Sequence, residues 1–128
     1  MVTPVRRALL GFTLVELLVV MAIIATLLTL VAPRYIQSVD RAREAVLRTN
    51  LKLLRSAIDQ HYADRGGYPE SLSVLVERRY IREVPEDPIT ERRDTWILYG
   101  HPAGQPGVYD VRSGAAGTAA DGTAYATW

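Results

Sequence analysis

The chain has 128 residues, 15 basic against 14 acidic side chains, and 48% hydrophobic residues, which suits about one domain with one modest core and excludes a large multidomain enzyme. It has no cysteine and two histidines, so disulfides, thiolate metal sites and cysteine nucleophiles are ruled out and ligands are too few for a zinc cluster. A net charge of +1 lacks the basic excess of a phosphate-binding surface, and no nucleic-acid partner is expected.

Residues 12–32 read FTLVELLVVMAIIATLLTLVA, in which only Thr13, Glu16, Thr26 and Thr29 are not apolar. As a helix this run measures about 31 Å, close to the ~30 Å hydrocarbon thickness of a bilayer. The preceding MVTPVRRALLG carries Arg6 and Arg7 and no acidic residue. The positive-inside rule therefore keeps the short N-terminus cytoplasmic and sends residues 34–128 across the membrane. A cleaved secretory signal would need a small-x-small site, which Leu30-Val31-Ala32-Pro33 does not offer, and an apolar core of only about 7–15 residues. A plain signal anchor accounts for the length and the arginines but not for Glu16. Near a bilayer centre a charged carboxylate costs about 2.5–3.5 kcal/mol, and less near the interface. Glu16 is therefore either close enough to the headgroups to snorkel, or protonated, or matched by a partner.

Pro33 is expected to break or bend a helix at that point. Beyond it Ile36, Val39, Val46, Leu47, Leu51, Leu54, Ile58 and Tyr62 recur with the period of a one-sided amphipathic helix. The opposite face, with Arg41, Arg43, Glu44, Arg48, Lys52, Arg55 and Asp59, reads as solvated. Asp64-Arg65-Gly66-Gly67 supplies the stop signal. A continuous helix over residues 12–63 would measure about 78 Å if straight; the alternative is two helices jointed at Pro33. Both place the apolar stripe against the C-terminal region.

That region begins at Gly66-Gly67-Tyr68-Pro69, and residues 70–77 suit a short helix with Leu72, Leu75 and Val76 inward. Two prolines in Val84-Pro85-Glu86-Asp87-Pro88-Ile89-Thr90 disfavour helix and strand. Thr95-Trp96-Ile97-Leu98-Tyr99 and Val108-Tyr109-Asp110-Val111-Arg112 read as two strands joined by HPAGQPG. Residues 113–122 form a loop, and residues 123–128 add a terminal strand or an aromatic plug. The predicted fold class is α+β, a long N-terminal helix packed on a small antiparallel sheet. The predicted boundaries are 1–11, 12–33 (transmembrane half), 34–65 (amphipathic half) and 66–128 (globular region). His61 and His101 have no serine and carboxylate constellation around them. Gly114, Gly117 and Gly122 do not open a helix as a nucleotide fingerprint would. Tyr99, Tyr109, Tyr125 and Trp128 read as packing residues, and no catalysis is expected.

The stretch Gly11-Phe12-Thr13-Leu14-Val15-Glu16-Leu17-Leu18-Val19-Val20, behind a short basic leader, resembles the processing site of the type IV pilin and type II secretion pseudopilin superfamily. The resemblance implies cleavage after Gly11 by a prepilin peptidase and methyltransferase, N-methylation of Phe12, and retention of Glu16 as an assembly determinant. Cleavage creates an amino group at Phe12 that Glu16 of a neighbouring subunit can neutralise inside a low-dielectric bundle. Glu16 facing its own terminus one helical turn away is equally available.

Tyr68-Pro69 with Leu72 and Leu75, Pro85-x-Asp87-Pro88, Trp96, Val108-Tyr109-Asp110-Val111-Arg112-Ser113-Gly114 and Asp121-Gly122-Thr123-x-Tyr125-x-x-Trp128 resemble the major pseudopilins of type II secretion, the general secretion pathway protein G family. The absence of cysteine leans the same way. The resemblance implies a pilin-like fold and a non-enzymatic filament subunit. Its setting would be a single pass through the inner membrane with a periplasmic C-terminal region. Its partners would be further copies of itself, the processing enzyme, an inner-membrane assembly platform and minor pseudopilins, and its task to help export folded proteins. A type IV pilus subunit, major or minor, serving adhesion, motility or DNA uptake is the nearest alternative, and a membrane-anchored extracytoplasmic binding or enzymatic domain is another. Major pseudopilins also bind calcium in the loop after the last strands, which would make Asp121 the first ligand here, with Asp110, Ser113 and carbonyls behind it. Calcium takes six to eight oxygens, and the opposing reading is that Asp121-Gly122 is a turn.

Overall fold

A computed structural model describes residues 2–4 and 9–128. Arg6 and Arg7, on which the expected orientation rests, lie outside the described residues. Two compact units emerge, Met1–Gln37 and Ser38–Trp128, and the elements in order are α1 (Leu14–Arg65), α2 (Leu72–Glu77), β1 (Ile97–Tyr99), β2 (Asp110–Arg112) and a terminal 3-10 turn (Tyr125–Thr127).

Helix α1 starts where Thr13 caps it: the Thr13 hydroxyl accepts the Glu16 amide at 3.2 Å, and the Thr13 carbonyl accepts the Leu17 amide at 3.1 Å. Of the two outcomes expected at Pro33, a break and a bend, the break does not occur, because Pro33 lies inside α1. Proline leaves the carbonyl four residues back, that of Thr29, without its N–H donor. The hydroxyls of Thr26 and Thr29 donate to the carbonyls of Ala22 and Ala25, both at 2.8 Å, so neither polar side chain is left unpaired in an apolar setting. All of residues 14–37 are exposed.

The amphipathic period holds from residue 47 on. Leu47, Leu51, Leu54, Ala57 and Ile58 are buried on one face of α1, against Leu72 and Leu75 of α2, Ile81, Trp96, Val108, Val111, Ala115, Ala119 and Tyr125. Ile36, Val46 and Tyr62, expected in the same stripe, are exposed, and Val39 is only half-buried. The core thus takes about three turns of the helix rather than about seven. Gly66, at φ 71°, turns the chain out of α1, with its amide on the Tyr62 carbonyl at 2.8 Å, as a left-handed glycine cap does. His61, expected at the edge of the stripe, is buried, and its Nδ1 donates to the Gly67 carbonyl at 2.7 Å.

Strands β1 and β2 pair antiparallel, with Ile97 opposite Arg112, Leu98 opposite Val111 and Tyr99 opposite Asp110. Each is three residues long, shorter than the five expected. Only Val111 of the six is buried, so little apolar burial extends the ladder. In place of a terminal strand the chain makes one bridge, Thr118 with Ala124, and then the 3-10 turn that buries Tyr125, the plug rather than the strand. Just past β2 the backbones close in: a Cβ added to Gly114 would stand 2.0 Å from the Thr95 carbonyl oxygen. Gly114→Ala should therefore cost about 3 kcal/mol, the upper range for overpacking against atoms that cannot rotate away, read as a lowered urea midpoint at unchanged slope.

Candidate functional site

Gly11, Phe12 and Thr13 precede α1 without regular structure, and Phe12 is 78% exposed. Glycine is usually required by a left-handed backbone or by close packing. Gly11 has neither: it is not among the positive-φ glycines, and a Cβ there would meet nothing within 4 Å. Among the described residues, no packing or backbone requirement accounts for the glycine.

Glu16 lies in the first turn of α1. Its main-chain N–H goes to Thr13, one half of the Thr-x-x-Glu capping pattern, while no ion pair engages its carboxylate among the described residues. Sequence inspection passes over Thr13, although its spacing to Glu16 is a readable signal. A carboxylate near the N-terminus of a helix also gains from the helix dipole. Around it stand Phe12, Leu14, Val15, Leu17, Leu18, Val19 and Val20, all exposed, so the one acidic group sits in a contiguous apolar surface. α1 is long and apolar enough to cross a membrane.

The second candidate is Asp121, at the tip of the C-terminal loop. Gly122, at φ 86°, and the 3.0 Å bond from its amide to the Ala119 carbonyl make Asp121-Gly122 a turn. Asp121 Oδ1 accepts the Thr123 amide at 3.0 Å and the Thr123 hydroxyl at 2.6 Å, and Oδ2 accepts from Arg48 at 3.3 Å. The Thr123 hydroxyl, then the Thr123 amide, and less strongly the charge of Arg48, hold the Asp121 carboxyl below the ordinary carboxylate range.

The other side-chain oxygens expected to join Asp121 are directed elsewhere. Asp110 accepts from Arg55 Nε at 2.8 Å, and the Ser113 hydroxyl donates to the buried Asp87. No group of three or more His, Cys, Asp or Glu placed to hold a metal exists among the described residues. The residues present do not fit a calcium ion, which needs six to eight converging oxygens.

Of the helix face read as solvated, Arg41, Arg43, Lys52 and Asp59 are exposed, while Glu44, Arg48 and Arg55 form the mount for this loop. Glu44 Oε1 accepts the Ala120 amide at 2.9 Å and the Tyr125 hydroxyl at 3.0 Å; burial, and then the Glu44 carboxylate, push the Tyr125 phenol up. Arg55 donates to the main-chain oxygens of Val111 and Trp128, both at 2.9 Å. Residues 44, 48 and 55 share one helical face, but only the folded chain places the tail over it.

Comparison with known proteins bears on the N-terminal site first. The family described as "Prokaryotic N-terminal methylation motif" matches residues 6–32. Over 99 residues the chain is 30% identical to type II secretion system core protein G of Pseudomonas aeruginosa, covering 65% of this chain and 70% of that one. Over 119 residues it is 30% identical to the core protein G of Escherichia coli K12, covering 80% and 79%. It is also 35% identical over 60 residues to the type IV major pilin protein PilA of Myxococcus xanthus, covering 47% of this chain and 27% of that one. No solved structure matches.

Proposed function

Because the chain belongs to the type II secretion system core protein G family, we propose that it is a structural, non-enzymatic subunit of a type II secretion pseudopilus. It is made as a precursor, cut after Gly11 on the cytoplasmic side by prepilin peptidase, N-methylated at Phe12, and packed helix against helix into a periplasmic filament that assists export of folded proteins. In this reading residues 1–11 are the leader, 12–33 the spanning and assembly half of α1, 34–65 its amphipathic half, and 66–128 the globular region. The filament's other partners are an inner-membrane assembly platform and minor pseudopilins.

The observation that carries this reading is the pairing of Gly11, which no packing among the described residues requires, with Glu16, a carboxylate set into an exposed apolar helix. Hydrolysis of the Gly11–Phe12 bond turns a neutral amide nitrogen into an ammonium group, and N-methylation keeps it basic. In hydrocarbon the Glu16 carboxylate and that ammonium are each costly alone and largely offset one another when paired. Lipid is as apolar as leucine, so apolar contact alone gives copies little reason to prefer each other over lipid. The charge pair supplies that preference. Once a copy leaves the bilayer, the apolar surface of residues 14–31 must be covered by neighbouring helices.

Deleting the gene and measuring exoprotein release and surface pili together tests the reading. Loss of release with pili intact is expected. Loss of pili with release intact would assign the chain to a type IV pilus, and loss of neither would overturn filament membership.

A further inference from the structure

The C-terminal loop carries a closed ring of four side chains. Arg48 meets Asp121 Oδ2 at 3.3 Å; Asp121 Oδ1 accepts the Thr123 hydroxyl at 2.6 Å; the Thr123 oxygen accepts Trp128 Nε1 at 2.7 Å; and the Arg48 guanidinium carbon lies 3.7 Å over the Trp128 ring. Arg48 thus supplies a positive charge to the only acidic side chain in residues 113–128 and covers the Trp128 indole. We propose that Arg48 is a built-in cation that does for this loop what a calcium ion would otherwise do, so that the globular unit folds and holds its C-terminal segment without calcium.

Three observations support this. A dication at Asp121 would stand next to a guanidinium and be repelled by it, since at a few ångströms like charges cost energy even in a high-dielectric setting. Both Asp121 oxygens already have protein donors. The neighbouring carboxylates that could complete a coordination shell are also committed, Asp110 to Arg55 and to the Val111 amide, and Glu44 to Ala120 and Tyr125. A guanidinium stacked on an aromatic face keeps its charge while meeting apolar surface, which an ammonium does poorly. The one guanidinium group therefore holds the loop at two points, Asp121 and Trp128. The inference concerns folding alone, and failure of the filament reading would leave it standing.

The test is thermal unfolding of the full chain in detergent, followed by tryptophan signal, in EGTA and in about 10 mM CaCl2, well above the millimolar range of weak extracellular calcium sites. The midpoint is expected to agree within about 1 °C between the two, because a ligand that does not bind the folded state adds nothing to its stability. Arg48→Met, which keeps an unbranched side chain over Trp128 but removes the charge, is expected to lower the midpoint by about 3–5 °C in both solutions. Terbium, a calcium surrogate, should give no tryptophan-sensitised emission at micromolar concentrations. A calcium-dependent rise of about 5 °C or more, saturable terbium emission that Asp121→Asn abolishes, or an Arg48→Met midpoint equal to that of the unaltered chain would each overturn the proposal.

Discussion

Replacing Glu16 with glutamine is expected to leave the chain folded and membrane-inserted while lowering filament yield at least tenfold. Glutamine keeps the length, the polarity and the ability to serve at the third position of the Thr13-capped helix, so only the negative charge is lost. The Glu16 amide bond to the Thr13 hydroxyl is made by the main chain and survives. Under the proposed assembly, what disappears is the partner for the Phe12 ammonium, which would then face hydrocarbon alone at every contact between copies. Each ~1.4 kcal/mol lost at such a contact is a factor of ~10 in its association constant. The measurement is the amount of sheared or crosslinked filament relative to total subunit, with the thermal midpoint as a control. Equal yield from the glutamine and unaltered proteins would remove Glu16 from assembly.

The largest effect on stability is expected at Asp87. Its side chain is fully buried and accepts the Ser113 hydroxyl and the amides of Ile89 and Thr90, tying the proline-rich loop to the end of β2. Around it the Trp96 indole donates to the Pro85 carbonyl at 2.8 Å, and the Asp87 amide to the Arg92 carbonyl at 2.9 Å. Asp87→Ala removes the acceptor and leaves three donors facing a cavity. Hydrogen bonds to a charged acceptor contribute about 1.5–3 kcal/mol each and do not add fully, so a loss of about 3–5 kcal/mol is expected, a large share of ordinary domain stability. Asp87→Asn should recover more than half of it. The amide oxygen can keep Ile89 and Thr90, and the Ser113 hydroxyl can rotate to accept from the amide nitrogen. Urea unfolding midpoints of the two variants test this, and an alanine variant as stable as the asparagine one would contradict it.

What could be read in advance divides along chain separation. Gly11, Phe12 and Glu16 form one contiguous motif, and the buried face of α1 from Leu47 to Ile58 repeats with helical period, so both are visible in the string of residues. The roles of Glu44, Arg48 and Arg55 are not. A charged helix face is solvated unless something returns to cover it, and the covering residues, Asp110, Ala120, Asp121, Tyr125 and Trp128, lie 55 to 81 positions away. Asp87 is hidden for the same reason: its hydroxyl donor is 26 residues distant, and Pro85-x-Asp87-Pro88 by itself reads as a loop. The exposed Ile36 and Val46 show the converse. Their spacing continues the stripe faithfully, but apolar period marks a face to be covered, not what covers it.

The most direct test is to react assembled filaments, built from a mixture of light and isotopically heavy subunits, with a hydrophobic carbodiimide that joins a carboxylate to an amine in contact. Peptide masses should reveal chains beginning at Phe12, with the Phe12 nitrogen of a light copy linked to Glu16 of a heavy one as often as random mixing allows. Links confined to a single isotope, placing Glu16 against its own terminus, or subunits still carrying Met1 through Gly11 would contradict the account.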